Sequence, residues 1–340
     1  MKTLKIAALG LTHDHVWENL TLLRQLSGVQ LVGAFDSHVE LRERFAREYS
    51  APAFTSANEL LRSTAPDAVL IFADNRGGAE LACAALRHRA HVLIEKPMAA
   101  DAAGARKILR VAKANRRRVM VNWPIAWWPQ LQHALKLASD GKLGRLWQVR
   151  YRAAHAGPKA MGCSRFFSDW LYDPARNGAG AFMDYCCYGA ALARVTLGQP
   201  QRVSAFIARL GNHAIRAEDN GLLLMHYPKA LGISEGSWTQ AGYMTSYVTV
   251  LYGTKGTLLV EPGDKGRLLI ATAEQPAGVP VRVPPLPKHM RNAVAHFVRA
   301  LRTGENFTDL CTAEVGRDTQ EILEAGLKVA HSGHTFVAAK

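Results

Sequence analysis

The 340-residue sequence predicts an α/β fold in two parts: a domain over 1–122 built on a parallel sheet, and an α+β domain over 123–340 with an open, mainly antiparallel sheet. Three observations carry this prediction. The first 122 residues alternate short apolar runs with amphipathic helical stretches, which implies βαβ units and right-handed crossovers. The texture changes after Trp123-Pro124, and the later apolar segments alternate with polar residues as half-buried strands do. The length also suits two cores better than one.

In chain order, Leu4–Leu9 reads as a buried strand, and His15–Leu26 as a helix with Val16, Leu20, Leu23 and Leu26 at helical spacing. Val29–Phe35 is a second strand ending in Asp36, followed by a charged helix over Val39–Tyr49. Ser56-Ala57-Asn58-Glu59 has the form of a capping box and predicts a short helix. Ala68–Ala73 carries almost no polar group, as expected of a strand buried on both faces. A helix over Gly78–Arg87, a strand at His91–Ile94, a helix over Ala102–Ala114 and a strand at Arg118–Val121 complete the first half. Beyond it, a helix is expected at Pro129–Ser139. Strands are expected at Leu146–Ala153, Val203–Leu210, Gly221–His226, Gly232–Thr239, Tyr247–Tyr252 and Thr257–Val260, and helices at Ala181–Thr196, Met290–Arg302 and Ala313–Ala330.

Composition narrows the function classes. No stretch is apolar for long enough to cross a bilayer, and the N-terminus runs into a strand with no small-residue cleavage site, so no membrane and no signal peptide are expected. Five cysteines at irregular spacing (Cys83, Cys163, Cys186, Cys187, Cys311) argue for reduced thiols and a cytoplasmic setting, and no CxxC pair suggests a structural zinc. The net charge of +14 is scattered, its one dense run being Arg116-Arg117-Arg118 at a helix end. With no helix-turn-helix or zinc-finger pattern, nucleic acid is not expected as a partner.

The turn after the first strand, Gly10-Leu11-Thr12-His13-Asp14-His15, stands where a Rossmann-type domain brings glycines against a pyrophosphate. Only the first glycine of G-x-G-x-x-G is present; Thr12 and His15 replace the others. Asp36, at the end of the second strand, is placed to accept hydrogen bonds from an adenosine ribose, which favours NAD and leaves NADP open. His13 and His15 invite a metal reading, but no third ligand is evident nearby in sequence. Lining a phosphate turn is the preferred role, and no metal is expected.

Glu95-Lys96-Pro97, directly after a strand, resembles the E-K-P motif of the glucose–fructose oxidoreductase / inositol dehydrogenase / MocA (Gfo/Idh/MocA) family. The stretches Asp67–Asn75, Ala79–Ala82 and His91–Ile94 resemble its fourth and fifth strands. Gly178-Ala179-Gly180-Ala181-Phe182-Met183-Asp184 is similar to the glycine-rich entry to its active-site helix, and Gly253–Thr257 and Glu321–Ala325 match later landmarks. The resemblance implies that Lys96 lies beside the nicotinamide and the substrate hydroxyl, where an ammonium stabilises a developing alkoxide. It further implies cofactor contacts from Gly10, Thr12, His13, His15, Asp36, Asp74, Asn75, Glu95, Lys96 and Trp123. The family's D-x-x-x-H becomes Asp184-Tyr185-Cys186-Cys187-Tyr188, so Tyr188 stands for the histidine, with Lys96 expected to lower its pKa and Asp184 to orient substrate or Lys96. Trp123 and Trp170 either face the nicotinamide or a sugar, or fill the seam between domains.

These readings lead to an NAD(P)-dependent oxidoreductase moving a hydride between the cofactor and a hydroxyl/carbonyl of a sugar, cyclitol or related polyol. Specificity is expected within Arg152–Arg176, including Arg165, Trp170 and Tyr172, and self-association as a homodimer or homotetramer through the C-terminal sheet. Two rivals use the same scaffold: a glycoside-cleaving enzyme that uses NAD transiently, and a non-catalytic NAD-responsive regulator.

Overall fold

In a computed structural model, residues 3–211, 215–263, 265–332 and 337–338 are described. The first part runs β1 (Leu4–Leu9), α1 (His15–Arg24), β2 (Val29–Phe35), α2 (Val39–Tyr49), β3 (Ala53–Phe54), α3 (Ala57–Thr64), β4 (Ala68–Ile71), α4 (Asn75–Arg87), β5 (His91–Glu95), α5 (Ala102–Asn115) and β6 (Val119–Asn122). The six strands form one parallel sheet in the order β3-β2-β1-β4-β5-β6. Order reverses between β1 and β4, so the crevice beyond their carboxyl ends is where an open α/β sheet accepts ligands. Ile6–Leu9 and Ala68–Ile71 are buried without interruption because helices cover both faces. Ser56 caps α3 through Glu59 N–H as the capping box predicts, and Asp74 and Asp101 cap α4 and α5 through the amides of Gly77 and Gly104.

The second part contains α6 (Pro129–Ser139), β7 (Leu146–Ala154), α7 (Arg165–Leu171), α8 (Pro174–Asn177), a five-residue π-helical turn (Phe182–Cys186), α9 (Cys187–Leu197), β8 (Arg202–Ala208), β9 (Asn220–Tyr227), β10 (Ala230–Ser237), β11 (Val248–Gly253), β12 (Thr257–Val260), β13 (Leu268–Ala271), β14 (Val279–Pro280), α10 (Ala293–Thr303), α11 (Ala313–Ser332) and β15 (Val337–Ala338). Its nine-stranded sheet is ordered β14-β13-β12-β11-β7-β10-β9-β8-β15 and is antiparallel except where β10 runs parallel to β7. One face of this sheet packs on α9 and α11. On the other, Phe206 of β8 is 65% exposed, and Leu210 beyond it 72%.

The two parts are laced together. The Arg118 guanidinium donates to the carbonyls of Ala300 and Glu305, and that of Arg302 to Ser27 and Gly28. Arg106 pairs with Glu321, and the Glu324 carboxylate accepts the Ala102 amide at the start of α5. The chain therefore leaves the first part at Asn122 and returns to cover it with α10 and α11. No helix among the described residues is long and apolar enough to cross a membrane.

Candidate active site

Lys96 follows the last residue of β5, at the carboxyl edge of the parallel sheet, and its side chain is buried. Its ammonium donates to Asp184 Oδ1 at 2.6 Å and to the Asp184 carbonyl at 3.0 Å. Burial alone would lower the lysine pKa; the Asp184 carboxylate outweighs it and raises the pKa above its ordinary value, so Lys96 is held as a cation. Asp184 Oδ2 in turn accepts the indole N–H of Trp238 at 3.3 Å.

Asp184 reaches Lys96 because of its approach. Gly178 has φ +98, and a Cβ there would lie 2.1 Å from the Ala100 carbonyl oxygen, so only glycine lets this segment lie against the loop after Lys96. The π-helical turn then widens the backbone spiral just where Asp184 and Tyr185 face the cleft, as such turns commonly do at functional sites.

Around the pair is a cavity of about 220 Å³ whose wall includes His13, His15, His155, Tyr185, Tyr188 and Tyr247. The His155 Nε2 and Tyr185 hydroxyl are 2.5 Å apart, and the Tyr185 and Tyr247 hydroxyls 3.1 Å. His155 Nδ1 accepts the Gly157 amide at 2.8 Å, which leaves the ring proton on Nε2 to donate to Tyr185. Burial lowers His155 to about 4 and raises Tyr185 well above the usual phenol range, so both are neutral at pH 7. Tyr247 sits at φ 58, a conformation a bulky residue adopts only when its surroundings enforce it. Larger grooves of about 740 and 700 Å³ lie elsewhere, and neither contains a buried ion pair among the described residues.

Two matches with known families cover this architecture. Residues 8–123 match a family described as "Oxidoreductase family, NAD-binding Rossmann fold", and residues 131–259 match "GFO/IDH/MocA C-terminal domain". The chain belongs to the Gfo/Idh/MocA oxidoreductase family. A dTDP-3,4-didehydro-2,6-dideoxy-alpha-D-glucose 3-reductase of Streptomyces antibioticus is 27% identical over 225 residues, 65% of this chain and 65% of that protein. A scyllo-inositol 2-dehydrogenase (NADP(+)) of Bacillus subtilis is 24% identical over 264 residues, 74% of this chain and 72% of that one. Among solved structures, an inositol dehydrogenase homolog from Azotobacter vinelandii complexed with NAD+ superposes with a TM-score of 0.85 at 19% identity, covering 99% of this chain and 97% of that one. An aldose-aldose oxidoreductase from Caulobacter crescentus gives 0.84 at 20% identity, with 99% and 100% covered. The superpositions show that the fold is shared.

Several family positions stand differently here from what the sequence suggests. Tyr188 lines the cavity, but Lys96 Nζ lies 4.8 Å from its ring centroid, over the π face, and burial raises its pKa well above the usual value; the expected acidification by Lys96 is corrected. Trp123 is fully buried and lies edge-on to Tyr188. Asp74 caps α4 and pairs with Arg176 at 3.0 Å, while Asn75 donates to Asn177 Oδ1 at 2.7 Å. Both tie α4 to the segment leading to Asp184. Arg165 is 67% exposed and pairs with Glu40, Trp170 is buried against His13, and the Tyr172 ring packs on Trp238. None of these three lines the cavity.

The cofactor turn is likewise reshaped. Gly10 has φ +82, and a Cβ there would lie 2.6 Å from that of Ala73. The Asp36 carboxylate is buried; it accepts the Leu11 amide at 2.6 Å and the His38 amide at 2.8 Å, and lies 2.7 Å from His38 Nδ1. In this conformation it is engaged with the turn rather than open to a ribose. Four consecutive residues of the second domain dock over the same ground. The Ser164 hydroxyl donates to Asp14 at 2.6 Å, Arg165 pairs with Glu40 at 2.8 Å, Phe166 meets His38 with ring centroids 5.2 Å apart, and Phe167 meets His13 at 4.3 Å. His155, Tyr185 and Tyr247 were not singled out by sequence; the one available signal was Tyr185, directly beside Asp184.

Proposed function

We propose that this chain transfers a hydride between a nicotinamide cofactor and a carbonyl/hydroxyl pair of a sugar, cyclitol or related polyol. The observation that carries the reading is the buried Lys96–Asp184 pair at the carboxyl edge of the parallel sheet, opening on a cavity walled by neutral phenols. When bound, NAD(H) supplies the hydride. The inner end of the cleft suits it: Glu95 Oε2 and Thr12 Oγ1 are buried with no hydrogen-bond partner, and Glu95, Thr12 and the Gly10–His15 turn would hold the nicotinamide ribose and phosphates. The outer, adenosine end requires residues 164–167 to withdraw.

Lys96 binds the reacting oxygen and donates to it, stabilising the negative charge that develops there. Because Asp184 keeps Lys96 protonated, the lysine acts as a hydrogen-bond donor to the reacting oxygen, not as a base. Tyr247, joined to Tyr185, supplies the proton that the reduced oxygen takes up. His155, at about 4, is neutral at pH 7 and fixes the Tyr185 hydroxyl by donating to it rather than exchanging a proton with substrate. The aromatic walls of Tyr185 and Tyr188 suit the apolar face of a sugar ring.

The test is nicotinamide absorbance with NAD(H) and NADP(H), screened in both directions against aldoses, cyclitols and their keto forms, with Lys96→Met as control. Turnover with at least one such pair that collapses in the variant is expected. No turnover with any pair, or turnover indifferent to Lys96→Met, would sink the reading.

A further inference from the structure

We propose that His13, His15 and Glu95 form a divalent-metal site of the two-histidine, one-carboxylate type, suited to Zn2+, at the inner end of the cleft. One donor atom from each residue lies within 4.8 Å of the others. His15 Nδ1 and Glu95 Oε1 are 3.4 Å apart, and ligands of a tetrahedral zinc, with bonds of about 2.0–2.2 Å, stand roughly that far from each other. The third donor comes from His13, on the same turn, whose Nδ1 accepts the His15 amide at 3.3 Å and leaves Nε2 free to ligate.

The surroundings are those of a supported ligand set. Glu95 is held by the Asn122 side chain, which donates to Oε1 at 2.6 Å, and Asn122 is held by the Trp127 indole at 2.9 Å. Outer partners of this kind orient metal ligands. Glu95 Oε2 is buried without a partner, although Glu95 is only 4% exposed. A simple His15–Glu95 ion pair satisfies Oε1 and leaves that second oxygen unexplained. The His13 ring is held in place by Phe167 and Trp170. His15 is 40% exposed, which provides an entry path. The nearby Lys96 charge is matched by Asp184 at 2.6 Å, so the cation there is already paired.

Three protein ligands leave a fourth position, and the cavity wall formed by His13 and His15 makes it open on the space beside Lys96. A water or a substrate oxygen completes such a site. The ion and a nicotinamide ribose both call on the Glu95 carboxylate, so zinc antagonises the cofactor. Zinc binding itself needs no cofactor and stands apart from the proposed activity.

The experiment is calorimetric titration of the chelator-stripped full chain with ZnCl2, followed by Co2+ absorption spectroscopy. One site is expected, weakened about tenfold or more in His15→Ala and in Glu95→Gln and unchanged in Cys163→Ser. The Co2+ spectrum should show ligand-field bands without a thiolate charge-transfer band. Absence of zinc binding, equal binding by wild type and His15→Ala, or a thiolate band would overturn the proposal. NADH titration with and without zinc separates the two readings. NADH binding with no zinc binding sinks the metal site and leaves the proposed function standing; zinc binding with no NADH binding does the reverse.

Discussion

Replacing Asp184 by Asn gives the sharpest test of how the candidate site is held together. Lys96 and Asp184 are both nearly inaccessible, 2.6 Å apart, and Asp184 also accepts from Trp238. Removing one partner of a buried ion pair leaves an uncompensated charge and costs about 3–5 kcal/mol. That is a large part of the roughly 5–15 kcal/mol that holds a domain folded. In the variant, burial acts on Lys96 without its main opposing charge, so its pKa falls. The sign follows from the wild type: the lysine pKa is raised in the folded state, so the pair's contribution is complete below the unfolded lysine value of about 10.4 and fades as pH rises through the higher folded value. Urea unfolding at pH 7 and pH 10 should show Asp184→Asn destabilised by about 3–5 kcal/mol at pH 7 and by less at pH 10, where the variant's lysine sheds its charge. The double variant Lys96→Met/Asp184→Asn should recover most of the loss, since an apolar side chain tolerates the site. A loss under about 1 kcal/mol, within the range of an exposed pair, or a double variant no more stable than the single one, would refute the reasoning.

Four further outcomes are expected. Gly10→Ala combines φ +82 with a Cβ 2.6 Å from Ala73 Cβ, and should lower stability by about 1–3 kcal/mol or more in thermal unfolding; a neutral change contradicts the close approach. His155, His91 and His296 are each lowered by burial to about 4, so stability is complete above the unfolded value of about 6.5 and falls as pH drops from there towards 4. A urea midpoint flat between pH 7 and 5 would oppose this. Ser164→Ala with Arg165→Ala loosens the segment over the Gly10–His15 turn and should tighten NADH several-fold by fluorescence titration, whereas weakened binding would make that segment part of the cofactor site. Phe206→Glu on the exposed sheet face should shift a self-associating species to monomer in light scattering; an unchanged mass removes that face from the interface.

Much of the first domain was legible because a parallel strand buried on both faces leaves a plain apolar run, as at Ala68–Ile71, and because Ser56 and Glu59 write a helix start into four residues. Lys96 and Asp184 were legible through their motifs. The rest depended on geometry that spacing does not encode. Reading Asp184 and Tyr188 as partners four apart assumed an α-helix; the π-helical turn changes the phase and brings Tyr185 to the cleft as well. His155 is a single histidine at the end of β7, and only the fold sets it against Tyr185. The short helices α7 and α8 lie in a stretch rich in Gly, Pro and aromatics with no clear period. Nothing local announced that Asp36 would turn inward to Leu11, or that Glu95 would supply the third donor beside His13 and His15.

The return of α10 and α11 onto the first domain bears on how the enzyme moves. With Arg118 and Arg302 fastened across the junction, and Glu324 holding the start of α5, the two halves are not beads on a string. Residues 1–122 expressed alone would expose the surfaces that these helices cover, and would be a poor stand-alone module. Wholesale swinging of one half against the other would have to break those attachments together. With the halves fastened, the contacts of residues 164–167 over the Gly10–His15 turn stand at the cleft's entrance, and NADH exchange rates should respond to substitutions there far more than to changes at Trp123-Pro124.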